Sequence, residues 1–191
     1  MKEGIIKDTY ELVIKEVQTI ISISYILAVA IGMLFNFQKF SEFGINIFDY
    51  ADVFDFLIAP FSDFKILLFT IISLSISYLI YRLDSYWKRK FPKSYSKQTF
   101  GWDKKRWYNT FRYLSFTIVF ILYLYISADK YGRISKDQIL NQSSINIRFS
   151  DNEIKTGKMI GKTKDVVFLL TSEAVEAIPI TSLVKEIRII Q

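Results

Sequence analysis

Three aspartates, Asp49, Asp52 and Asp55, stand three residues apart in the otherwise apolar stretch of residues 44–61. Carboxylates at this spacing follow one drifting stripe of an α-helix, and the aromatic and aliphatic residues between them fall mostly on the other side. Clustered carboxylates attract cations and ligate hard divalent metals. This stretch is therefore where the sequence most readily supports ion chemistry.

Three interpretations of the acidic stretch remain open. The simplest is an interfacial amphipathic helix over residues 45–59, with a solvated acidic face, ended by Pro60. The second is the ion vestibule of a cation path, which Asp49, Asp52 and Asp55 ring once several subunits assemble. The third is a divalent-ion site. A full membrane span is disfavoured, because carboxylates in hydrocarbon cost roughly 2.5–3.5 kcal/mol each on insertion scales.

Other site chemistry is restricted by two missing residue types, since the sequence contains neither Cys nor His. Without them, Ser-His-Asp and Cys-His catalysis is impossible, disulfides do not form, and zinc would have carboxylates alone as ligands. No Gly-rich phosphate loop precedes a predicted helix. We therefore predict that the chain is not an enzyme, and we assign it no catalytic residue, no metal ligand and no cofactor.

The elements that position these residues are dominated by three uncharged apolar blocks, at residues 17–37, 66–81 and 113–128. An α-helix of roughly 20 apolar residues crosses the hydrocarbon core of a bilayer. Buried helices of a soluble protein are one alternative, but no amphipathic partner helices remain to cover them. A cleaved signal peptide is another for the first block, whose apolar run continues past the small residues 28–30. We predict a multi-pass protein of the cell membrane.

Lysine and arginine counts predict the orientation of the spans. Residues 82–112, between the second and third blocks, contain ten of these residues against two acids, which places this loop in the cytoplasm. The segment between the first and second blocks contains two, Lys39 and Lys65, against five acids. With three spans, the C-terminal module then lies outside the cell.

The basic loop of residues 82–112 also contains all three tryptophans of the chain. Indole rings prefer the headgroup level, and basic residues attract anionic lipid at roughly 1 kcal/mol each, so we expect the loop to anchor on the inner leaflet. The anchoring residues are Trp87, Lys88, Arg89, Lys90, Trp102, Lys104, Lys105, Arg106 and Trp107. The same composition is typical of nucleic-acid binding, but a loop held between two spans favours the membrane, and we expect no nucleic-acid partner.

Small residues recur inside two of the predicted spans. Ser24, Ala28 and Gly32 stand four residues apart in the first, and Ser73 and Ser77 do so in the second. Small residues at this spacing let helix backbones approach closely, which is how helices associate in lipid. We expect these residues to pack helices together, and we expect a homo-oligomer because one chain supplies only three spans.

After residues 129–144, which we interpret as a linker, the pattern changes to short strands separated by turn residues. The predicted strands are residues 145–149, 157–163, 166–171, 174–180 and 185–190, with one tight helical turn at residues 181–184. The strand at 166–171 has the most apolar composition, which indicates the deepest burial. Residues 155–164 form a basic hairpin, which is either a solvated edge or a surface for an anionic ligand or headgroups. Its lysines are Lys155, Lys158, Lys162 and Lys164.

Five short strands with a tight turn before the last resemble a small SH3-like or Sm-like barrel, here residues 145–191. Three spans and an interfacial helix followed by such a module resemble small uncharacterised bacterial multi-span membrane proteins. The arrangement is also similar to mechanosensitive channels of small conductance, in which three spans precede an Sm-like domain. The third block here is aromatic rather than rich in Gly and Ala, and the charge rule places the β module outside. No family motif is present, so no functional residue is carried over.

The sequence favours a non-enzymatic, membrane-anchored sensing or interaction protein, whose helices anchor and oligomerise it and whose β module binds a protein partner. The alternative is a small oligomeric pore or membrane effector, gated by the β module and lined near the three aspartates. Ion flux across liposomes distinguishes the two hypotheses, because only the second conducts.

Overall fold

The computed structural model describes the backbone of residues 2–180 and 184–189 and, within these ranges, the side chains of residues 16–180, 185, 186 and 188. The helices are α1 (Lys2–Ser41), α2 (Val53–Ser62), α3 (Phe64–Lys90), α4 (Pro92–Gln98) and α5 (Tyr108–Asn141), with 3₁₀ turns at Ile47–Asp49 and Trp102–Lys104. The strands are β1 (Ile145–Phe149), β2 (Ile154–Lys162), β3 (Val166–Leu170), β4 (Val175–Pro179) and β5 (Val184–Ile189). The predicted helical turn at residues 181–184 lies largely outside the described residues.

Three of the helices are long and apolar enough to cross a membrane: Glu16–Ser41 of α1, Phe64–Lys90 and Tyr108–Asn141. Each contains one of the apolar blocks, so the prediction of three long apolar helices is confirmed. Every helix continues past its block, because the charged residues beyond it keep good helix propensity. Beyond the C-terminal end of its block the third continues furthest, and residues 129–141 of the segment interpreted as a linker are part of α5.

Helix α5 lies between α1 and α3 and contacts both. Against α1, it approaches so closely at Gly132 that a Cβ there would lie 2.7 Å from the Gln38 carbonyl oxygen. Against α3, the hydroxyl oxygens of Ser73 and Ser127 lie 2.9 Å apart. The shared core between these helices includes Phe35 and Tyr131 (both with two per cent exposure or less), and Ile66, Leu124 and Ala128.

The acidic stretch does not form the helix predicted over residues 45–59. A 3₁₀ turn precedes Asp52, whose extended backbone (φ −93°, ψ 175°) separates it from α2. The Asp52 carboxylate caps α2 by accepting hydrogen bonds from the backbone N–H groups of Phe54 (2.7 Å) and Asp55 (3.0 Å). The Asp55 carboxylate in turn accepts a hydrogen bond from the Asp52 N–H (3.1 Å), which completes a capping box.

Pro60 does not end α2, which continues to Ser62. Proline has no N–H, so the carbonyl of Phe56, four residues earlier, loses its usual helical donor. That carbonyl lies directly against Gly32 of α1, where a Cβ would lie only 1.8 Å from the oxygen. Gly32 of α1 and Pro60 of α2 therefore complement each other. The proline leaves the Phe56 carbonyl without its helical donor, and the glycine leaves room for that carbonyl.

The C-terminal strands form one antiparallel sheet in the order β4-β3-β2-β1-β5. The long strand β2 pairs with β1 through residues 154–157 and with β3 through residues 158–162, with an irregular register between Met159 and Gly161. Within residues 2–180 and 184–189 no ladder joins β4 to β5, so the described sheet is open and the predicted barrel is not shown. The antiparallel sheet itself is confirmed.

Strand β3 is buried on both faces, as its composition predicts. Val167 and Leu169 point into a core within the β module, together with Ile145, Ile147 and Ile178. Phe168 points the other way, into a second core shared with the helices. The sheet therefore packs directly against the helical part of the chain.

Candidate ligand cavity

The helices and the sheet meet in the core that surrounds Phe40 near the end of α1. Its ring packs edge-to-face on Phe168 of β3, with centroids 5.1 Å apart. Ile160 of β2, Phe56 of α2 and Ile139 of α5 complete this core. The elements that border it include sequence positions more than a hundred residues apart, so the contact fixes the sheet to the helix ends.

Two polar contacts reinforce this junction. The backbone N–H of Lys164, after the β2 strand, donates to the Asp55 carboxylate of α2 (3.1 Å). Gln142, directly after α5, donates its side-chain amide to the Met159 carbonyl of β2 (2.7 Å). With three residues between α5 and β1, the connection leaves the sheet little freedom to move away from the helices.

A cavity of about 910 Å³ lies beside this junction, between the ends of α1, α2, α3 and α5 and the turn from β2 to β3. Its apolar wall includes Phe40, Ile47, Phe54, Ile58, Ile66 and Ile180. Its polar wall includes Asn36, Lys39, Asp52, Asp55, Asp63, Tyr131, Lys162 and Lys164. The cavity thus combines a hydrophobic side with charged groups of both signs.

The carboxylates of the cavity are engaged by donors of the chain itself. Asp63 caps α3 by accepting from the Lys65 N–H (2.9 Å), and its other oxygen accepts from the buried Tyr131 hydroxyl (2.8 Å). Asp52 and Asp55 form the capping box of α2, and Asp55 also accepts from the Lys164 N–H. Their negative charge is stabilised by the N–H groups of helix termini and of the sheet contact.

The ammonium groups of the cavity are in the opposite situation. Among the described residues, the side chains of Lys39, Lys162 and Lys164 make no ion pair or hydrogen bond, and the Lys39 ammonium lies 5.4 Å from the centroid of the Phe40 ring. The other two hairpin lysines are partnered. Lys155 pairs with Glu176 (2.5 Å), which raises the pKa of Lys155, and Lys158 donates to a carbonyl at the end of α5.

The three predicted vestibule residues do not lie on one helical stripe. Asp49 is in the 3₁₀ turn and accepts from the Asn46 side-chain amide (3.0 Å), Asp52 precedes α2, and Asp55 lies in its first turn. Only the latter two line the cavity. Within the part of the chain that the structure describes, no group of three His, Cys, Asp or Glu residues is arranged to hold a metal ion.

The predicted helix-packing residues have different surroundings. Ser24 is exposed on α1, Ala28 is half-buried, and Gly32 is buried against α2 rather than against another of the long apolar helices. Ser73 is fully buried and contacts α5, and Ser77 is buried and donates back to the Ser73 carbonyl (2.9 Å).

The basic loop folds into a small polar cluster at the far end of α3 and α5. Asp84 accepts from the Arg112 guanidinium (Nε to Oδ2, 2.9 Å) and from the Tyr95 hydroxyl (3.1 Å). The Tyr108 hydroxyl lies 2.9 Å from that of Tyr95. Burial, and the hydrogen bonds to Tyr108 and Asp84, raise the pKa of Tyr95 above its ordinary value.

The predicted anchoring residues surround this cluster. Trp87 is half-buried and packs edge-to-face on Tyr95, with centroids 5.6 Å apart, and Lys88 is half-buried over the Tyr108 ring. The other seven side chains are exposed: Arg89, Lys90, Trp102, Lys104, Lys105, Arg106 and Trp107.

Sequence reasoning assigned no role to Lys39, Asp63 or Tyr131, which the fold brings to one cavity. In the sequence, Lys39 and Asp63 contribute only to the count of charged residues between the first and second apolar blocks. One signal was available: Asp63 directly precedes an apolar helix, which is where an N-cap residue stands. The proximity of Tyr131, 68 residues later, follows only from the packing of α5.

Comparison of the chain with protein-family models, with curated proteins and with solved structures finds no match. The functional argument therefore depends on the geometry of the chain itself, and above all on the cavity between the helix ends and the sheet.

Proposed function

We propose that the chain is a non-enzymatic integral membrane protein that binds a ligand or a protein partner where its sheet meets its helices. The observation that carries the proposal is the core of Phe40 and Phe168, which joins the membrane helices to the sheet beside a large cavity. A group bound there touches α1, α2 and the β2–β3 turn at once. Binding therefore acts directly on the packing of the spans.

In this proposal α1, α3 and α5 cross the bilayer and α2 lies in its interface. The exposed stripe of α2 supports the interfacial position, since Phe54, Ile58 and Phe61 are 65%, 57% and 74% exposed. Aromatic and aliphatic residues at i, i+4 and i+7 form a face that inserts at the boundary of headgroups and acyl chains. The basic aromatic cluster then faces the cytoplasm, and the sheet and cavity face outside.

The β module is proposed to be a curled, SH3-like or Sm-like unit. Strand β2 supports this, because it belongs to two ladders and changes register between Met159 and Gly161. Such an irregularity bends a strand and increases its twist, which is how a sheet curls upon itself.

Self-association also belongs to the proposal. The first half of the α1 span, residues 16–27, is exposed along its whole length, and it includes Ser24. Ser24 is a small residue to which another helix can pack closely. A second copy of the chain is the natural source of that helix.

Single-cysteine variants test the membrane placement, because the chain contains no cysteine. Ser172→Cys, in the turn before β4, is expected to react with an impermeant maleimide added to intact cells, and Ser94→Cys, in α4, only after lysis. Reaction of both from the same side contradicts the three-span arrangement.

Ion flux and co-purification test the function. Liposomes that contain the protein are expected to show no conductance, and the protein extracted from its own membrane is expected to retain a specific partner or ligand. Phe40→Ala removes a central ring of the junction and is expected to release the partner or ligand. Phe37→Ala is the control and is expected to retain the partner or ligand, because the Phe37 ring stacks on Phe48 instead. Steady flux that Asp55→Asn abolishes would overturn the proposal in favour of a pore.

A further inference from the structure

We infer that the cavity binds the phosphate group of an anionic phospholipid, with Lys39 on its helical wall and Lys162 and Lys164 on its sheet wall. This inference rests on the proposed function and specifies its ligand. It differs from lipid attraction at the basic loop, because the cavity lies at the opposite ends of α3 and α5 from that loop.

The cavity has three aspartates and three lysines, and it is the difference in how they are paired that favours an anion. Its carboxylates already accept hydrogen bonds from helix termini, from Tyr131 and from the Lys164 N–H. Its three lysine side chains make no ion pair within the described residues. Lys39 is half-buried beside Phe40, and an unpaired ammonium removed from water is costly. A phosphate oxygen offers each lysine the charged acceptor that the chain does not supply.

The backbone of β2 comes close to Lys39 without covering it. A Cβ at Gly161 would lie 3.3 Å from the Lys39 ammonium and 2.8 Å from the Phe40 ring. With glycine there, the sheet approaches α1 while the ammonium stays open to the cavity. Asn36, one helical turn before Lys39, places an amide donor on the same wall.

The position of the cavity favours a lipid over free phosphate. Lys39 and Ile66 stand at the ends of the first two spans, at the level where headgroups begin. Phe54 and Ile58 line the cavity and also belong to the exposed apolar stripe of α2. An acyl chain can follow this stripe while its phosphate occupies the polar wall, whereas inorganic phosphate makes no use of it.

The test is photo-crosslinking in phosphatidylcholine nanodiscs that contain a photoreactive phosphatidylglycerol, with the cross-linked peptides mapped by mass spectrometry. The full-length protein is expected to carry the label on peptides from the end of α1, from α2 or from residues 158–164. Lys39→Gln, or Lys162→Gln with Lys164→Gln, is expected to reduce this labelling by about tenfold, in line with the loss of a charge-assisted contact.

Two matched controls accompany these variants. Lys155→Gln removes a lysine from the same hairpin whose partner is Glu176, and it is expected to leave the labelling unchanged. Lys39→Arg keeps the charge and is expected to restore most of it. Circular dichroism verifies that each variant is folded, and labelling of the basic loop serves as the internal reference.

Each other outcome overturns the inference. Competition by millimolar inorganic phosphate indicates a free-phosphate site, and equal labelling by a photoreactive phosphatidylcholine indicates a lipid groove without charge selection. Labelling confined to the basic loop leaves the cavity without a lipid. In each of these cases the cysteine and co-purification experiments still decide the proposed function, so the two failures are distinguishable.

Discussion

The two ends of the helical part differ in how their partly buried charged residues are paired. At the α4 end, Asp84 is the common acceptor for Arg112 and Tyr95, so cation and anion neutralise each other inside one cluster. At the sheet end, Lys136 pairs with Glu42 (3.3 Å) and the carboxylates of the cavity cap helices, but the Lys39 ammonium makes no ion pair or hydrogen bond among the described residues.

The difference distinguishes a structural cluster from the proposed binding site. A partly buried charge pair that is complete leaves nothing for a ligand to satisfy, and removal of one partner strands the other. An unpaired ammonium destabilises the empty protein and gains most from an external anion. Tryptophan fluorescence suits this comparison, because all three tryptophans lie at the α4 end and report on that end alone.

Gly32→Leu is expected to have the largest effect, since any Cβ at this position overlaps the Phe56 carbonyl. The substitution forces α2 away from α1 and opens the sheet end, at a cost of roughly 3 kcal/mol or more. Thermal unfolding in detergent measures the loss, and tryptophan emission is expected to stay unchanged at low temperature.

Ala30→Leu is the matched control on the same helix. Its position is exposed, so stability is expected to remain within about 0.5 kcal/mol of the original protein. Equal destabilisation by the two substitutions would show that close packing of α1 on α2 is not what holds the sheet end.

Asp84→Asn is expected to cost roughly 2 kcal/mol, because it strands the Arg112 guanidinium, whose side chain is only 14% exposed. The cluster loosens, and the emission of Trp87 shifts to longer wavelength as water reaches Tyr95. Asp103→Asn, in the same loop, is the control. A variant as stable as the original protein would show that the α4 end does not depend on its ion pair.

The sequence predicts the local elements at the two ends of the helical part but not the contacts between distant segments. Apolar blocks and alternating strands are local patterns, so the three long apolar helices and the sheet were predictable. The pairing of Asp84 with Arg112 and Tyr95 joins three segments, and local spacing contains no trace of it. The stripe of three aspartates was a misinterpretation, because Asp52-x-x-Asp55 also has the spacing of a capping box, and a cap residue ends a helix rather than continuing it.

Tyr95→Phe is expected to cost about 1 kcal/mol through the lost hydrogen bond to Asp84. It also changes the pH dependence. The folded pKa of Tyr95 is raised above the ordinary value of 10.0, so the unfolded chain loses its proton first, and stability falls as pH rises above about 10. Melting temperatures at pH 9 to 11 are expected to fall less steeply in the variant, and parallel curves would show that the Tyr95 hydroxyl is not the group responsible.

Lys39→Met is the corresponding change at the sheet end, and its sign is expected to be opposite. In detergent without anionic lipid, loss of the unpaired ammonium stabilises the protein by up to about 1 kcal/mol, because methionine keeps the apolar stem and removes the desolvation cost. In nanodiscs with phosphatidylglycerol the advantage is expected to disappear. A variant that is less stable in both media would show that Lys39 is paired within the chain.

Ser73→Ala tests the helix contact that connects the two ends, and it is expected to have the smallest effect. Its hydroxyl lies 2.9 Å from that of Ser127 on α5 and also donates to the Phe69 carbonyl of its own helix (2.9 Å). Alanine removes both bonds, but the Phe69 carbonyl keeps its helical N–H donor. Hydrogen bonds between membrane helices average about 0.6 kcal/mol, and alanine keeps the close packing. A double-mutant cycle with Ser127→Ala measures the coupling, and a value above about 1.5 kcal/mol would mean that hydrogen bonding rather than packing holds α3 to α5.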